Sequence, residues 1–146
     1  MINKGEQHLK HVVLVMGAFG GRLDHTLKNI STLKKYTEIN QSLLSNGSYD
    51  MLFMDQYSTL LYLPAGENKI SLSQSFDSDY GCGVFSFEEK QVEVETTGLE
   101  WNIGANYATK YLRFGNEESS SNRTLSKQIN VISKNNLYWT NSILIK

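Results

Sequence analysis

Val12-Val13-Leu14-Val15-Met16, then Gly17-Ala18-Phe19-Gly20-Gly21, then Arg22-Leu23-Asp24-His25 is the stretch that decides how this chain folds. Its first five residues are apolar without a break and without alternation. That pattern predicts a strand buried on both faces of a parallel sheet. The glycines that follow make a flexible turn. From Arg22 the period changes, and Leu23, Leu27, Ile30 and Leu33 recur at three- and four-residue spacing, with Lys28, Ser31, Thr32 and Lys35 largely on the other face. The spacing predicts an amphipathic helix of about four turns, with Asp24 at its positive N-terminal end and Lys34-Lys35 at its negative C-terminal end. Met51-Leu52-Phe53-Met54 and Thr59-Leu60-Leu61-Tyr62 predict two further strands, separated by the polar stretch Asp55 to Ser58. One buried parallel strand, one helix and two more strands cannot cover both faces of a sheet. An earlier segment or another chain is therefore expected to complete it.

Beyond Pro64, the single proline, the helical period disappears. Lys69 to Ser73, Val84 to Phe87 and Gln91 to Glu95 alternate, and further strands are predicted at Tyr111 to Phe114, Gln128 to Ser133 and Tyr138 to Ile145. Gly81, Gly83, Gly98, Asn116 and Asn135-Asn136 punctuate them. Short alternating strands at nearly regular spacing argue for an antiparallel sandwich or barrel. The fold class expected is an α/β remnant plus an all-β part. Residues 1–63 are read as the C-terminal part of a parallel α/β nucleotide-binding domain and 64–146 as an antiparallel β-sandwich.

Composition narrows the function classes. The 146 residues are 40% hydrophobic and 20% charged, enough apolar material for a packed core. Fourteen Lys and Arg against fifteen Asp and Glu leave a net charge of −1, so no basic field gathers nucleic acid. Cys82 stands alone, which rules out an internal disulfide framework and a multi-cysteine zinc site. The longest apolar run, Val12 to Met16, is too short to span a bilayer, and no signal-peptide pattern opens the chain. A cytoplasmic protein without a membrane partner is the expectation.

Three places carry possible chemistry. Gly20 and Gly21 let backbone approach a phosphate, and the helix that follows offers open N–H groups and a positive dipole end. There Arg22 can clamp phosphate oxygens, Asp24 can hold a divalent cation, and His25 can donate to a phosphate. The plain alternative is a glycine turn with Asp24 as dipole partner. The second place is Thr96-Thr97-Gly98-Leu99-Glu100-Trp101-Asn102, where Trp101 either presents a flat face to an aromatic or cationic ring or packs in the sandwich core. The third is Phe114-Gly115 followed by Ser119-Ser120-Ser121-Asn122, either a hydrogen-bonding lip for a polar heterocycle or a solvated loop. Trp139, within an apolar C-terminal run, reads as core. His8 and His11 supply at most two metal ligands, and Cys82 has no activating histidine nearby.

In this order and at these distances the segments resemble the C-terminal part of the thiamine pyrophosphokinase family. The family's strand, glycine turn and Gly-Arg-Leu/Phe-Asp-His/Gln are matched by Val12 to Met16 and Gly21 to His25. Its Thr-Thr-Gly-Leu-Lys-Trp-Asn-Leu stretch is matched by Thr96 to Ile103, with Glu100 in place of the basic residue. Its Phe-Gly and Ser-Thr-Ser-Asn are matched by Phe114-Gly115 and Ser119 to Asn122, and a final Leu-x-Trp by Leu137 to Trp139. The resemblance implies transfer of diphosphate from ATP to the thiamine hydroxyl, giving thiamine diphosphate and AMP with Mg²⁺. It implies catalytic and phosphate-side roles for Arg22 and Asp24, with Asp24 a weak metal ligand, and nucleotide contacts from Gly20, Gly21 and His25. It implies thiamine contacts from Trp101, Ser119, Ser121 and Asn122, in a homodimer with active sites between subunits. The family's upstream Gly-Asp-x-Asp-Ser and Asp-x-x-Asp motifs have no match, and Asp77-Ser78-Asp79 falls in the β part. The chain alone is therefore expected to be an inactive truncated enzyme, the alternative being a non-catalytic module that binds thiamine or a similar heterocycle, or dimerises.

Overall fold

A computed structural model describes residues 11–43, 49–72, 81–115 and 118–143. Along the chain run β1 (His11–Met16), α1 (Leu23–Leu43), β2 (Tyr49–Met54), β3 (Ser58–Leu63), β4 (Gly66–Ser71), β5 (Gly81–Phe85), β6 (Val92–Thr97), β7 (Tyr111–Leu112), β8 (Ser119–Arg123), β9 (Gln128–Ser133) and β10 (Leu137–Ser142). Six strands form one sheet in the order β1-β2-β3-β10-β5-β8, and four form a second in the order β4-β9-β6-β7. β1 and β2 are parallel, His11 opposite Tyr49 and Met16 opposite Met54. The other pairings are antiparallel. The chain is thus mostly β, with one helix among the described residues.

The six-stranded sheet is a shared wall. Leu63, Cys82, Val84, Leu137 and Trp139 point from it into a core with Ile70, Val92, Val94, Ile129 and Val131 of the smaller sheet. On its opposite face Phe53, Leu60, Tyr62 and Tyr138 pack with Leu33 and Ile30 of α1. Alternation along β3 and β10 sends neighbouring residues to opposite cores, as a strand covered on both sides requires. Pro64 and Ala65 make the two-residue crossing from β3 to β4, where the chain passes from one sheet to the other. Buried polar atoms in this wall are paired. Thr59 Oγ1 and Trp139 Nε1 both donate to Asn141 Oδ1, at 2.8 and 3.0 Å. Tyr62 donates to Glu38 at 2.8 Å; burial first, then that hydrogen bond and the Glu38 charge, push its phenol above the ordinary range.

Several expectations are corrected. Val12 to Met16 is a strand but is not buried on both faces: Val12 is 61% and Met16 71% exposed. β1 lies at the margin of its sheet, paired on one side, and α1 packs over β2 and β3 instead. The helix runs on to Leu43, so Lys34 and Lys35 sit mid-helix and no basic residue occupies its last turn. Leu23 and Leu27, on the expected apolar face, are exposed, because the helix meets the sheet only from Ile30 onward. The serine-rich segment is not a loop; it is β8, paired with β5. Gly81 and Gly83 do not punctuate strands but lie within β5, where a Cβ on Gly83 would come 2.8 Å from the Ser119 carbonyl. Small residues are required for that approach. His8, Ser73, Asp77, Asp79, Asn116 and Ile145 lie outside the described residues.

Candidate functional site

Strand directions bring the candidate residues to one end of the large sheet. β1, β2, β10 and β8 run the same way, so their C-terminal ends share that end with the N-termini of β3 and β5. Ligands in open sheets that contain parallel strands bind outside such carboxyl ends. The glycine turn follows β1 here. Gly17 and Gly20 take φ of +70° and +84°, conformations that favour glycine. The turn is anchored at Ala18, whose N–H donates to the Met54 carbonyl at 3.2 Å and whose carbonyl accepts from Asn29 Nδ2 at 2.7 Å. Arg22 stands at the N-cap, its carbonyl accepting the first helical bond from Thr26 N–H.

At this turn Arg22 and Asp24 are paired with each other. Arg22 Nε and Nη2 donate to the two Asp24 carboxylate oxygens at 3.0 and 2.7 Å. Both side chains are largely exposed, so an incoming anion or cation displaces little by opening the pair. His25 and Gly21 are exposed beside them. Across the turn, Asp55 Oδ2 lies 3.9 Å from where a Gly20 Cβ would stand, while Asp55 Oδ1 accepts the N–H groups of Tyr57 and Ser58, each at 2.7 Å. Among the described residues no group of three or more His, Cys, Asp and Glu side chains could hold a metal ion. Asp24 is thus a single exposed carboxylate, a donor set that fits a Mg²⁺ carried in by a phosphate ligand rather than a resident ion.

The tryptophan segment is a rigid turn. Gly98 has φ +92°, and a Cβ there would meet the Gln128 carbonyl at 2.8 Å. Asn102 Oδ1 accepts from Leu99 N–H at 3.2 Å, and Thr96 Oγ1 from Ile103 N–H at 2.8 Å. Leu99 and Ile103 are driven into the core, which leaves Trp101 outside with 56% of its surface exposed. The turn is laced to β8: Leu99 bridges Thr124, and Glu100 N–H donates to the Arg123 carbonyl at 2.9 Å. Asn122 completes the lacing with its side chain. Its Oδ1 accepts from Trp101 N–H at 3.1 Å and its Nδ2 donates to the Trp101 carbonyl at 2.7 Å. Nδ2 also donates to Ser119 Oγ at 3.0 Å, and Oδ1 accepts from Arg123 N–H at 2.9 Å. Trp101, Ser119 and Asn122 are therefore brought together, with Asn122 buried and Trp101 outward. Ser121 is exposed on the same strand, at φ +57°. The alternative of Trp101 as core does not hold; Trp139 is the core tryptophan, fully buried.

A cavity of about 640 Å³ lies on the helix-side face beyond the reach of α1. Phe85, Phe87 and Phe114 form its apolar wall, and Ser119 to Ser121 its polar lip. Phe87 meets Tyr138 edge-on at 5.1 Å and Phe114 at 5.2 Å. Its size suits a small heterocycle. Phe114 and the serine lip belong to the third place read from the sequence, whereas Phe85 and Phe87 carry only the alternation Phe85-Ser86-Phe87 as a signal. The Cys82 side chain points to the other face, into the sandwich core, and burial there pushes its thiol up to about 12, which leaves it unreactive at neutral pH.

The two candidate regions do not meet within one chain. The glycine turn follows β1 and the Trp101 turn is laced to β8, the opposite margins of a six-stranded sheet, roughly 24 Å apart at about 4.8 Å per strand. Together they define a class: a sandwich presenting an aromatic platform, continuous with a strand–glycine-turn–helix unit suited to phosphate. Comparison with known proteins gives the family. Residues 67–138 match the family model of the thiamin pyrophosphokinase vitamin B1 binding domain. Thiamine pyrophosphokinase 1 of Oryza sativa subsp. japonica is 28% identical over 139 residues, 95% of this chain and 47% of that protein. Thiamine pyrophosphokinase 2 of the same organism is 30% identical over 131 residues, 90% and 44% respectively. The fold matches thiamin pyrophosphokinase from Candida albicans with a TM-score of 0.72 at 20% identity, over 92% of this chain and 45% of that one. In its domain model, its curated relatives and its fold alike, the chain is similar to the thiamine pyrophosphokinase family. It spans about half the length of the curated relatives it matches.

Proposed function

We propose that these residues carry the thiamine-binding part of a thiamine pyrophosphokinase, which transfers diphosphate from ATP to the thiamine hydroxyl and releases AMP. The observation that carries this reading is Trp101: an indole held in water by a hydrogen-bonded turn, inside the segment that matches a vitamin B1 binding domain. Thiamine's cationic and aromatic rings suit an indole face. Ser119, whose hydroxyl shares Asn122 with the Trp101 backbone, and Ser121 of the same strand are taken as its hydrogen-bonding partners. At the other margin the glycine turn, the open amides of the first helical turn and Arg22 suit the phosphates, with Gly20, Gly21 and His25 around them. Mg²⁺ would enter with ATP and neutralise phosphate charge, Asp24 giving one ligand once released from Arg22. This is the sense in which residues 1–63 are read as part of a nucleotide-binding domain and 64–146 as the thiamine domain.

The reacting hydroxyl and β-phosphorus must approach to about 3.5 Å. Regions roughly 24 Å apart along one sheet argue for an active site shared between two copies, hence a homodimer. Helices of the described residues are not long and apolar enough to cross a membrane, which is compatible with a cytoplasmic enzyme. The second reading, a module that binds thiamine without catalysis, is favoured by the lack of a three-carboxylate cluster among the described residues. We take the 146-residue chain to bind thiamine and to be inactive alone, because Asp24 as a single carboxylate holds Mg²⁺ too weakly to neutralise the triphosphate in full, which leaves the barrier high.

Calorimetry with thiamine tests the site: Trp101→Ala is expected to weaken binding by about 1–2 kcal/mol, the range of a desolvated cation–aromatic contact. Unchanged affinity would sink the stacking role. Mg²⁺-dependent release of AMP from ATP and thiamine by the chain on its own would overturn the expected inactivity.

A further inference from the structure

Asn122 resembles a ligand-binding residue in the sequence, yet its geometry is that of a clamp. Its side chain is 2% exposed, and its carboxamide makes four hydrogen bonds within the protein, two to the peptide of Trp101, one to Ser119 and one to Arg123. Two acceptor sites on Oδ1 and two protons on Nδ2 are the full capacity of the group. No hydrogen-bonding site is left over for a ligand. The pair of bonds to Trp101 has a distinctive form, since the N–H and the C=O of one residue both bond to one carboxamide. That is the pattern two residues exchange across an antiparallel ladder. The turn already pairs with the chain around β8 through Leu99–Thr124 and through Glu100 N–H to the Arg123 carbonyl. The Asn122 side chain supplies the next rung, where the backbone, turned by the left-handed Ser121, does not.

We infer that Asn122 is a positioning residue that fixes the Trp101 peptide, and through it the indole platform, without touching the ligand. Its consequence for affinity rests on the thiamine reading above; its consequence for Trp101 does not. An exposed side chain has no packing to hold its ring, so its peptide must set its direction. Asparagine suits this because aspartate keeps the two acceptor bonds but loses both donor bonds, placing a carboxylate against the Trp101 carbonyl.

The test uses the full chain with Asn122→Asp, Trp101→Ala and the double variant. Time-resolved fluorescence anisotropy without ligand reads Trp101, its emission being assigned by subtracting that of Trp101→Ala, which retains buried Trp139. Asn122→Asp is expected to add a fast local component to Trp101 while the thermal midpoint and far-ultraviolet circular dichroism keep the chain folded. Unchanged anisotropy overturns the inference. Thiamine titration is expected to fall about tenfold for Asn122→Asp in the wild-type background, within the range of a cation–aromatic contact, and less than about twofold in the Trp101→Ala background. Equal losses in both backgrounds would mean that Asn122 contacts thiamine directly, and the inference fails. If Trp101→Ala binds thiamine as wild type does, the stacking reading fails, and the positioning role is decided by anisotropy alone. Should Asn122→Asp not fold, Ser119→Ala frees one donor bond, and a smaller anisotropy change in the same direction is expected; no change there overturns the inference.

Discussion

β10 and β1 are six-residue strands of the same sheet, and both carry consecutive large apolar residues, yet they live in different surroundings. In β10, Tyr138 and Trp139 are buried on opposite faces, one under α1 and the other in the sandwich. In β1, Val12, Leu14 and Met16 face away from α1, and the smaller sheet does not extend over them. Composition marks both strands as interior, and place in the sheet decides which one is. The bare face of β1 is large and apolar, the kind of surface that marks an interaction site.

Three substitutions sharpen or break this contrast. Trp139→Ala opens a cavity in the fully buried core and leaves Asn141 Oδ1 without its indole donor, so urea denaturation is expected to show a loss of about 3–5 kcal/mol. A loss below about 1 kcal/mol would mean that the centre of the sheet is no better packed than its margin. Gly98→Ala probes the opposite margin. It forces a left-handed residue against the Gln128 carbonyl and is expected to cost about 1–3 kcal/mol by the same measurement, with Trp101 loosened. A neutral result would show that the Trp101 turn yields easily. Leu14→Ala, at an exposed site, is expected to shift stability by no more than about 0.5 kcal/mol. A loss above about 2 kcal/mol would show that β1 is covered in solution, and the contrast would collapse.

Much of the fold is legible in the sequence where side-chain pattern and burial agree. Gln128 to Ser133 is a strand at the bounds its alternation predicts, because Ile129, Val131 and Ser133 face one core. The helix is longer than its period because Tyr36 and Ile39 are half-exposed residues that keep no strict face. β8 is hidden because Ser119 to Ser121 carry no apolar pattern; backbone pairing with β5 makes it a strand, and such pairing leaves no mark in side-chain chemistry. At the candidate site, the sequence picks out Trp101, Ser119 and Asn122, and the structure brings them together. What residue type cannot tell is direction. Trp101 points out and Asn122 in, the reverse of what a hydrophobic ring and a polar amide suggest alone. Nor does it disclose that Arg22 and Asp24 neutralise each other.

The shared wall also couples the two cores. Leu60 and Leu61, like Tyr138 and Trp139, are adjacent in sequence and serve opposite sides of one strand. β3 and β10 therefore cannot loosen for the helix side while staying packed for the sandwich side. Opening either strand empties both cores at once, so the layers that α1 and the smaller sheet supply stand or fall as one cooperative unit. Because β10 pairs with β3 across a separation of 82 residues, from Thr59 to Asn141, that unit closes only when this distant segment is in place.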